Sequence, residues 1–145
     1  MNQDHEPKII LTRPEPGLTK FSDQLAQEIP SADVYCEALQ VIDFIPYQGD
    51  LTRYSGFVFT SSNGVRAAKR WNLPSRLGFG VGKVTTELVR SYCDPVYDGG
   101  SDVEALIALI ESLMPDGPLL HIRGRVSIGN LASRLSEYGI ETHEE

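Results

Sequence analysis

The stretch Phe57-Val58-Phe59-Thr60-Ser61-Ser62-Asn63-Gly64-Val65-Arg66-Ala67-Ala68 constrains the fold more than any other. Phe57 to Phe59 is a short unbroken apolar run, the pattern of a parallel strand covered on both faces. Polarity then switches at once. Thr60, Ser61, Ser62 and Asn63 bring hydroxyls, an amide and backbone N–H groups to the carboxyl end of that strand, and Val65, Ala67 and Ala68 begin a helix. Two readings of the turn stand side by side. One of Ser61, Ser62 or Asn63 caps the helix, or the unpaired donors and partial positive charge of the helix start hold a carboxylate or phosphate.

The same alternation runs through the chain. Lys8 to Thr12 reads as a strand, broken by Arg13-Pro14-Glu15-Pro16-Gly17. Leu18, Phe21, Leu25 and Ile29 recur at helical spacing, and Val34 to Cys36 is a second strand, so residues 8–36 form a βαβ unit. Residues 37–49 alternate weakly through Leu39, Val41 and Phe44 and read as an extended connector, a pair of ladder strands. Leu77 to Gly82 is a strand and turn, followed by a helix with Val84, Leu88 and Tyr92 on one face. Pro95 to Tyr97 is a strand. Ser101 and Glu104 have capping-box spacing before the stripe Val103, Leu106, Ile107, Ile110 and Leu113. Pro118 to Ile122 is a strand. Ile128, Leu131 and Leu135 mark the buried face of the last helix, Gly139 is its C′ residue, and another extended segment starts at Ile140. Repeated strand–helix units imply an α/β fold with a doubly wound parallel sheet. Ligands in such sheets sit outside the carboxyl ends of the strands, where the order reverses. The expected reversal is near Phe57 to Phe59. The unusual residues fall at those same ends: Arg13, Thr60 to Asn63, Gly82 to Thr85, and Arg123 to Arg125.

Composition narrows the function. A net charge of −7 argues against nucleic acid as a general partner. No apolar run approaches a membrane span and the start of the chain has neither signal nor transit pattern, so no membrane partner is expected. Cys36 and Cys93 are isolated, without metal spacing, which fits a reducing cytoplasm and no metal. Gly78-Phe79-Gly80-Val81-Gly82-Lys83 fails as a P-loop, because Val84 follows Lys83, and fails as a dinucleotide fingerprint, because no glycine lies three residues after Gly80. It could serve close backbone packing or end in a carboxylate-binding turn at Thr85. Lys83, Arg123, Arg125 and Arg13 are either solvated charges or part of one basic edge. His121, inside an apolar run, reads as a packed residue and not as a base. No nucleophile elbow or carboxylate pair stands out, so any catalysis would work by positioning and electrostatics.

Four pieces of the chain carry a resemblance. Leu11-Thr12-Arg13-Pro14-Glu15-Pro16-Gly17 and Phe59-Thr60-Ser61-Ser62-Asn63-Gly64-Val65 come first. Val81-Gly82-Lys83-Val84-Thr85 is similar to a Val-Gly-x-x-Thr-Ala turn, with Thr86 in place of the alanine. Leu120-His121-Ile122-Arg123-Gly124, with Leu131 and Leu135, is similar to a Leu-Leu-x-Arg-Gly strand and helix. Together they resemble the N-terminal part of the uroporphyrinogen-III synthase family.

The resemblance implies two flavodoxin-like lobes joined by a two-stranded ladder. Residues 1–36 would open a discontinuous first lobe, 37–49 the connector, and 50–145 a second α/β lobe; the chain reads as truncated. It implies an enzyme that cyclises hydroxymethylbilane, a linear tetrapyrrole polycarboxylate, with loss of water and inversion of the last pyrrole, using no cofactor and no metal. Thr60, Ser61, Ser62 and Asn63 would hold substrate carboxylates. Gly82, Lys83, Val84 and Thr85 would form a second donor set, with Thr85 nearest the chemistry, and Arg13, Arg123 and Gly124 would complete the site. The whole protein would be a cytoplasmic monomer. A chain of this length would expose the apolar face of its first helix, self-associate, and not close the ring alone. The alternative is a non-catalytic flavodoxin-like or receiver-like binding module, disfavoured by Thr12-Arg13 where a receiver has acidic residues.

Overall fold

A computed structural model describes residues 8–126 and 129–145. The chain divides into two compact units, Met1–Phe44 and Ile45–Glu145. The first holds β1 (Lys8–Leu11), α1 (Gly17–Glu28) and β2 (Asp33–Cys36), with β1 and β2 parallel. Leu18 and Leu11 are its buried apolar residues, while Ile10 and Tyr35 on the two strands are more than half exposed. Residues 37–50 contain no helix or strand. Glu37 and Leu39 donate backbone bonds to Leu11 and Thr12, but the ladder expected at 37–49 does not form. A ladder needs a second strand, and among the described residues none pairs with this stretch.

The second unit carries β3 (Gly56–Phe59), α2 (Ser62–Ala68), β4 (Leu77–Gly80), α3 (Lys83–Val89), β5 (Val96–Asp98), α4 (Val103–Leu113), β6 (Leu119–His121), α5 (Leu131–Glu137) and β7 (Thr142–Glu144). Its sheet is wholly parallel, in the order β5-β4-β3-β6-β7. Counted within the unit this is 3-2-1-4-5, where a flavodoxin runs 2-1-3-4-5; both orders reverse beside the unit's first strand. The reversal lies between β3 and β6, so the expectation for Phe57 to Phe59 holds. Side chains alternate across the sheet. Phe57, Phe59, Leu120 and Ile122 pack with Val65 and Ala68 of α2 and Val89 of α3 on one face. Val58, Phe79 and Leu119 pack with Leu106, Ile107 and Ile110 of α4 and Leu131 and Leu135 of α5 on the other. Ile128, read as part of that last helical face, lies outside the described residues.

Two local readings change, and a third position stands out. The face of α3 marked by Val84 and Leu88 is exposed, and Thr85, Thr86, Val89 and Cys93 are buried instead. β4 presents glycines toward this helix: a Cβ on Gly78 would meet Cys93 and Val89, and one on Gly80 would meet Thr86. Such a shallow strand accepts small side chains and close approach, which outweighs the larger apolar stripe. Second, α4 is capped by Asp102, whose carboxylate accepts from Ala105 N–H at 2.9 Å, and not by Ser101, whose hydroxyl donates to Asp102. A carboxylate also suits the positive helix start. Third, the hydroxyl oxygen of Thr86, the residue that replaces alanine in the turn, is buried and has no hydrogen-bond partner among the described residues. Gly139 ends α5 as expected, at φ +79°, with Gly139 N–H on Ser136 O and Ile140 N–H on Leu135 O, a Schellman motif. Among the described residues no helix is long and apolar enough to cross a membrane.

Two substitutions test this packing. Asp102→Ala should lower the thermal midpoint by about 4 °C while Ser101→Ala leaves it nearly unchanged. Gly64→Ala should cost about 2 kcal/mol in denaturant titration, because its Cβ would collide with the carbonyl oxygen of Ile122, which cannot withdraw like a flexible side chain.

Candidate functional site

The carboxyl ends of β4, β3 and β6 lie side by side, and three of the expected groups meet there. After β3, Thr60 leaves the sheet and Ser61 caps α2, its Oγ accepting Gly64 N–H at 3.4 Å. The capping reading of this turn is therefore realised. Ser62 and Asn63 form the first turn of α2, half-buried, and Asn63 Oδ1 accepts from Arg66 at 3.1 Å. After β4, Val81 N–H donates to Phe59 O at 3.0 Å, tying this turn to the end of β3. Gly82 has φ +78°, a conformation costly for any residue with a Cβ. Its N–H is already taken by Gly100 O at 2.8 Å. The first intrahelical bond of α3 runs from Thr86 N–H to Gly82 O, so the amides of Lys83, Val84 and Thr85 lie outside the helical ladder. Lys83 and Val84 are exposed, and Thr85 is buried. Gly124 is exposed and its carbonyl accepts from Arg123 at 3.0 Å. Arg13 belongs to the first unit, where its guanidinium lies over the Phe21 ring at 5.5 Å.

The centre of the second unit's polar edge is a group the spacing did not reveal. Thr60 directly follows β3, and His121 and Glu144 come from β6 and β7. Thr60 Oγ1 is 3.1 Å from His121 Nε2, and His121 Nδ1 is 3.2 Å from Glu144 Oε1. Arg123 donates to the other carboxylate oxygen, Oε2, at 2.9 Å. Strand parity explains the meeting: Val58 and Thr60, Leu119, His121 and Arg123, and Thr142 and Glu144 share one face, and the parallel register sets His121 beside Glu144. The signal was the parity itself, but the pairing partner of β6 lies beyond a whole helix and cannot be placed from spacing. His121 is buried, as the sequence suggested, and both of its ring nitrogens have hydrogen-bond partners.

Burial is the largest influence on His121 and pushes its pKa below the ordinary imidazole value, against the raising effect of Glu144. Burial alone would raise Glu144, but hydrogen bonds from Arg123 and His121 prevail and hold its carboxyl below the usual range. Elsewhere, burial pushes the Cys93 thiol up to about 12 and leaves it inert. Tyr54 is raised to about 12, first by burial and then by its hydrogen bond with Tyr47. No group of three or more His, Cys, Asp or Glu among the described residues is arranged to hold a metal ion.

Residues 26–145 match the family model described as HEM4, uroporphyrinogen-III synthase HemD. The chain belongs to the uroporphyrinogen-III synthase family. No curated protein matches the chain. Among solved structures, it is similar to the uroporphyrinogen-III synthetase of Helicobacter pylori, with TM-score 0.60 and 15% identity over 97% of this chain and 60% of that one. It is also similar to the uroporphyrinogen III synthase of Thermus thermophilus, with TM-score 0.50 and 14% identity over 95% of this chain and 59% of that one. At these identities the two structures attest the fold. The chain spans about three fifths of the length of either. Within this uroporphyrinogen-III synthase fold, the polar edge at β3 and β6 is the switch point of the sheet.

The lowered pKa values give a signed expectation. Folded His121 binds fewer protons than unfolded His121, so the stability it supports is present above 6.5 and is lost as pH falls below that value. Glu144 adds a further loss below 4.5. Urea midpoints should decline as pH falls below about 6.5, and His121→Gln should flatten that part of the profile.

Proposed function

We propose that the chain acts in uroporphyrinogen-III synthesis, binding hydroxymethylbilane for ring closure with loss of water and inversion of the last pyrrole. The observation that carries this reading is the convergence of Thr60 to Asn63 and of His121 to Gly124 at the switch point of a uroporphyrinogen-III synthase fold. A linear polycarboxylate suits such an edge. The hydroxyl of Ser61, the amides of Lys83, Val84 and Thr85, and the charges of Lys83 and Arg123 offer donors of the right sign. Gly82 shapes the second turn, and the donors come from the residues after it. Thr85 stands nearest that turn's packed side. No side chain here is a strong nucleophile. The residues would therefore act by holding a flexible substrate near its reactive geometry, which converts a loose intramolecular encounter into an oriented one. Lys83, standing exposed at the start of α3, adds attraction that salt weakens. A cytoplasmic setting is supported by two free thiols, Cys36 exposed and Cys93 buried.

The test supplies enzymatically generated hydroxymethylbilane to the chain and follows binding by fluorescence quenching and products by chromatography. Saturable binding is expected, weakened about threefold in Lys83→Ala at low salt. Absence of binding up to millimolar substrate would refute the reading. Spontaneous closure gives the uninverted isomer I, so isomer III in excess assigns catalysis to this chain, and isomer I with retained binding confines its role to holding substrate.

A further inference from the structure

The two adjacent hydroxyls of the β3 turn have opposite hydrogen-bonding polarity. Glu144 is a carboxylate fixed by Arg123 at 2.9 Å, and a carboxylate only accepts. The His121 nitrogen that faces it at 3.2 Å, Nδ1, must therefore carry a proton. In a neutral imidazole the other nitrogen, Nε2, is then an acceptor. Its partner at 3.1 Å is Thr60 Oγ1, so the Thr60 O–H donates inward to His121. With its proton committed, Thr60 offers only lone pairs to a ligand at the carboxyl edge of the sheet, where Thr60 is half-buried. Ser61 is the reverse. Its Oγ accepts Gly64 N–H, its own proton is left to donate, and it is exposed.

We propose that Thr60 accepts an N–H group of the ligand and that Ser61 beside it donates to a carboxylate, so the pair recognises a pyrrole ring that bears both. This changes the part assigned to Thr60 from its residue type, since lone pairs aimed at a carboxylate would repel it. His121 and Glu144 act through Thr60 as positioning residues: together with Arg123 they fix which way its hydroxyl points. The inference rests on the function proposed above for its choice of pyrrole, while the polarity of Thr60 stands on the geometry alone.

Two measurements separate these. Long-range proton–nitrogen NMR correlations of the imidazole report the tautomer of His121 in the chain itself. The expected result at about pH 7.5, above the ordinary imidazole range, is a neutral ring with Nδ1 protonated and Nε2 bare, and a shift of Nε2 in Thr60→Val. A ring protonated on Nε2 would overturn the proposal. The second measurement titrates the chain with a monopyrrole carrying acetate and propionate groups, and with its N-methyl derivative. Thr60→Val should weaken the N–H probe about fivefold, the loss of one hydrogen bond. It should leave the N-methyl probe unchanged, and Thr60→Ser should restore the difference. Equal weakening of both probes would overturn the proposal by showing that Thr60 holds the carboxylates. If neither probe binds, the substrate class fails, and the tautomer still decides the polarity of Thr60.

Discussion

The second unit depends on the burial of β3 from both sides. Phe57, Val58 and Phe59 are at most 1% exposed, with aromatic rings on one face and the valine on the other. Each fully buried side chain of this kind contributes about 1.5–3 kcal/mol. That gain is available only if helices cover both faces, which in a parallel sheet requires crossovers on both sides and hence a reversal of strand order. The reversal sends the chain leaving β3 and the chain leaving β6 to opposite faces of the sheet, so no crossover covers the edge between their ends. A polar turn can be reached by solvent there while the strand behind it stays dry. The site is in this sense a consequence of how the core is closed.

Close backbone packing sets the shape of that edge. Gly64 brings α2 against the carbonyl of Ile122, and Gly78 and Gly80 let α3 settle onto β4. The turns after β3 and β4 are held at fixed height by these contacts, and Val81 N–H on Phe59 O locks one to the other. Side-chain volume at any of these glycines would lift a helix start away from the strand ends. On the far face, Arg134 of α5 grips Glu104 of α4 through its two terminal guanidinium nitrogens at the surface.

Much of this architecture was legible in residue patterns. Runs such as Phe57 to Phe59 and stripes such as Leu106, Ile107 and Ile110 announce burial directly, because burial is what selects them. The polar turn at Thr60 to Asn63 was visible for the same reason. What escaped reading depended on neighbours distant in sequence. The stripe Val84 and Leu88 pointed to the wrong face of α3, since glycines on another element chose small residues instead. Ser101 matched a capping pattern that Asp102 fills by charge. The link from Thr60 through His121 to Glu144 crosses three strands, and only the parallel register brings its members together. The polarity of Thr60 then follows from a carboxylate 84 positions later in the chain.

The Schellman stop at Gly139 has a reach beyond α5. It sends Ile140 into the core and so sets the count at which β7 enters the sheet. Successive residues of a strand face opposite ways, and a slip of one position exchanges the faces. Were α5 to end one residue earlier, His143 would be the side chain presented to His121 where Glu144 now stands. An anion would be replaced by a second imidazole, the proton on His121 would lose its reason to sit on Nδ1, and the edge would no longer distinguish a donor from an acceptor. The chemical sense of the site is thus written partly in the length of a helix that supplies none of its residues.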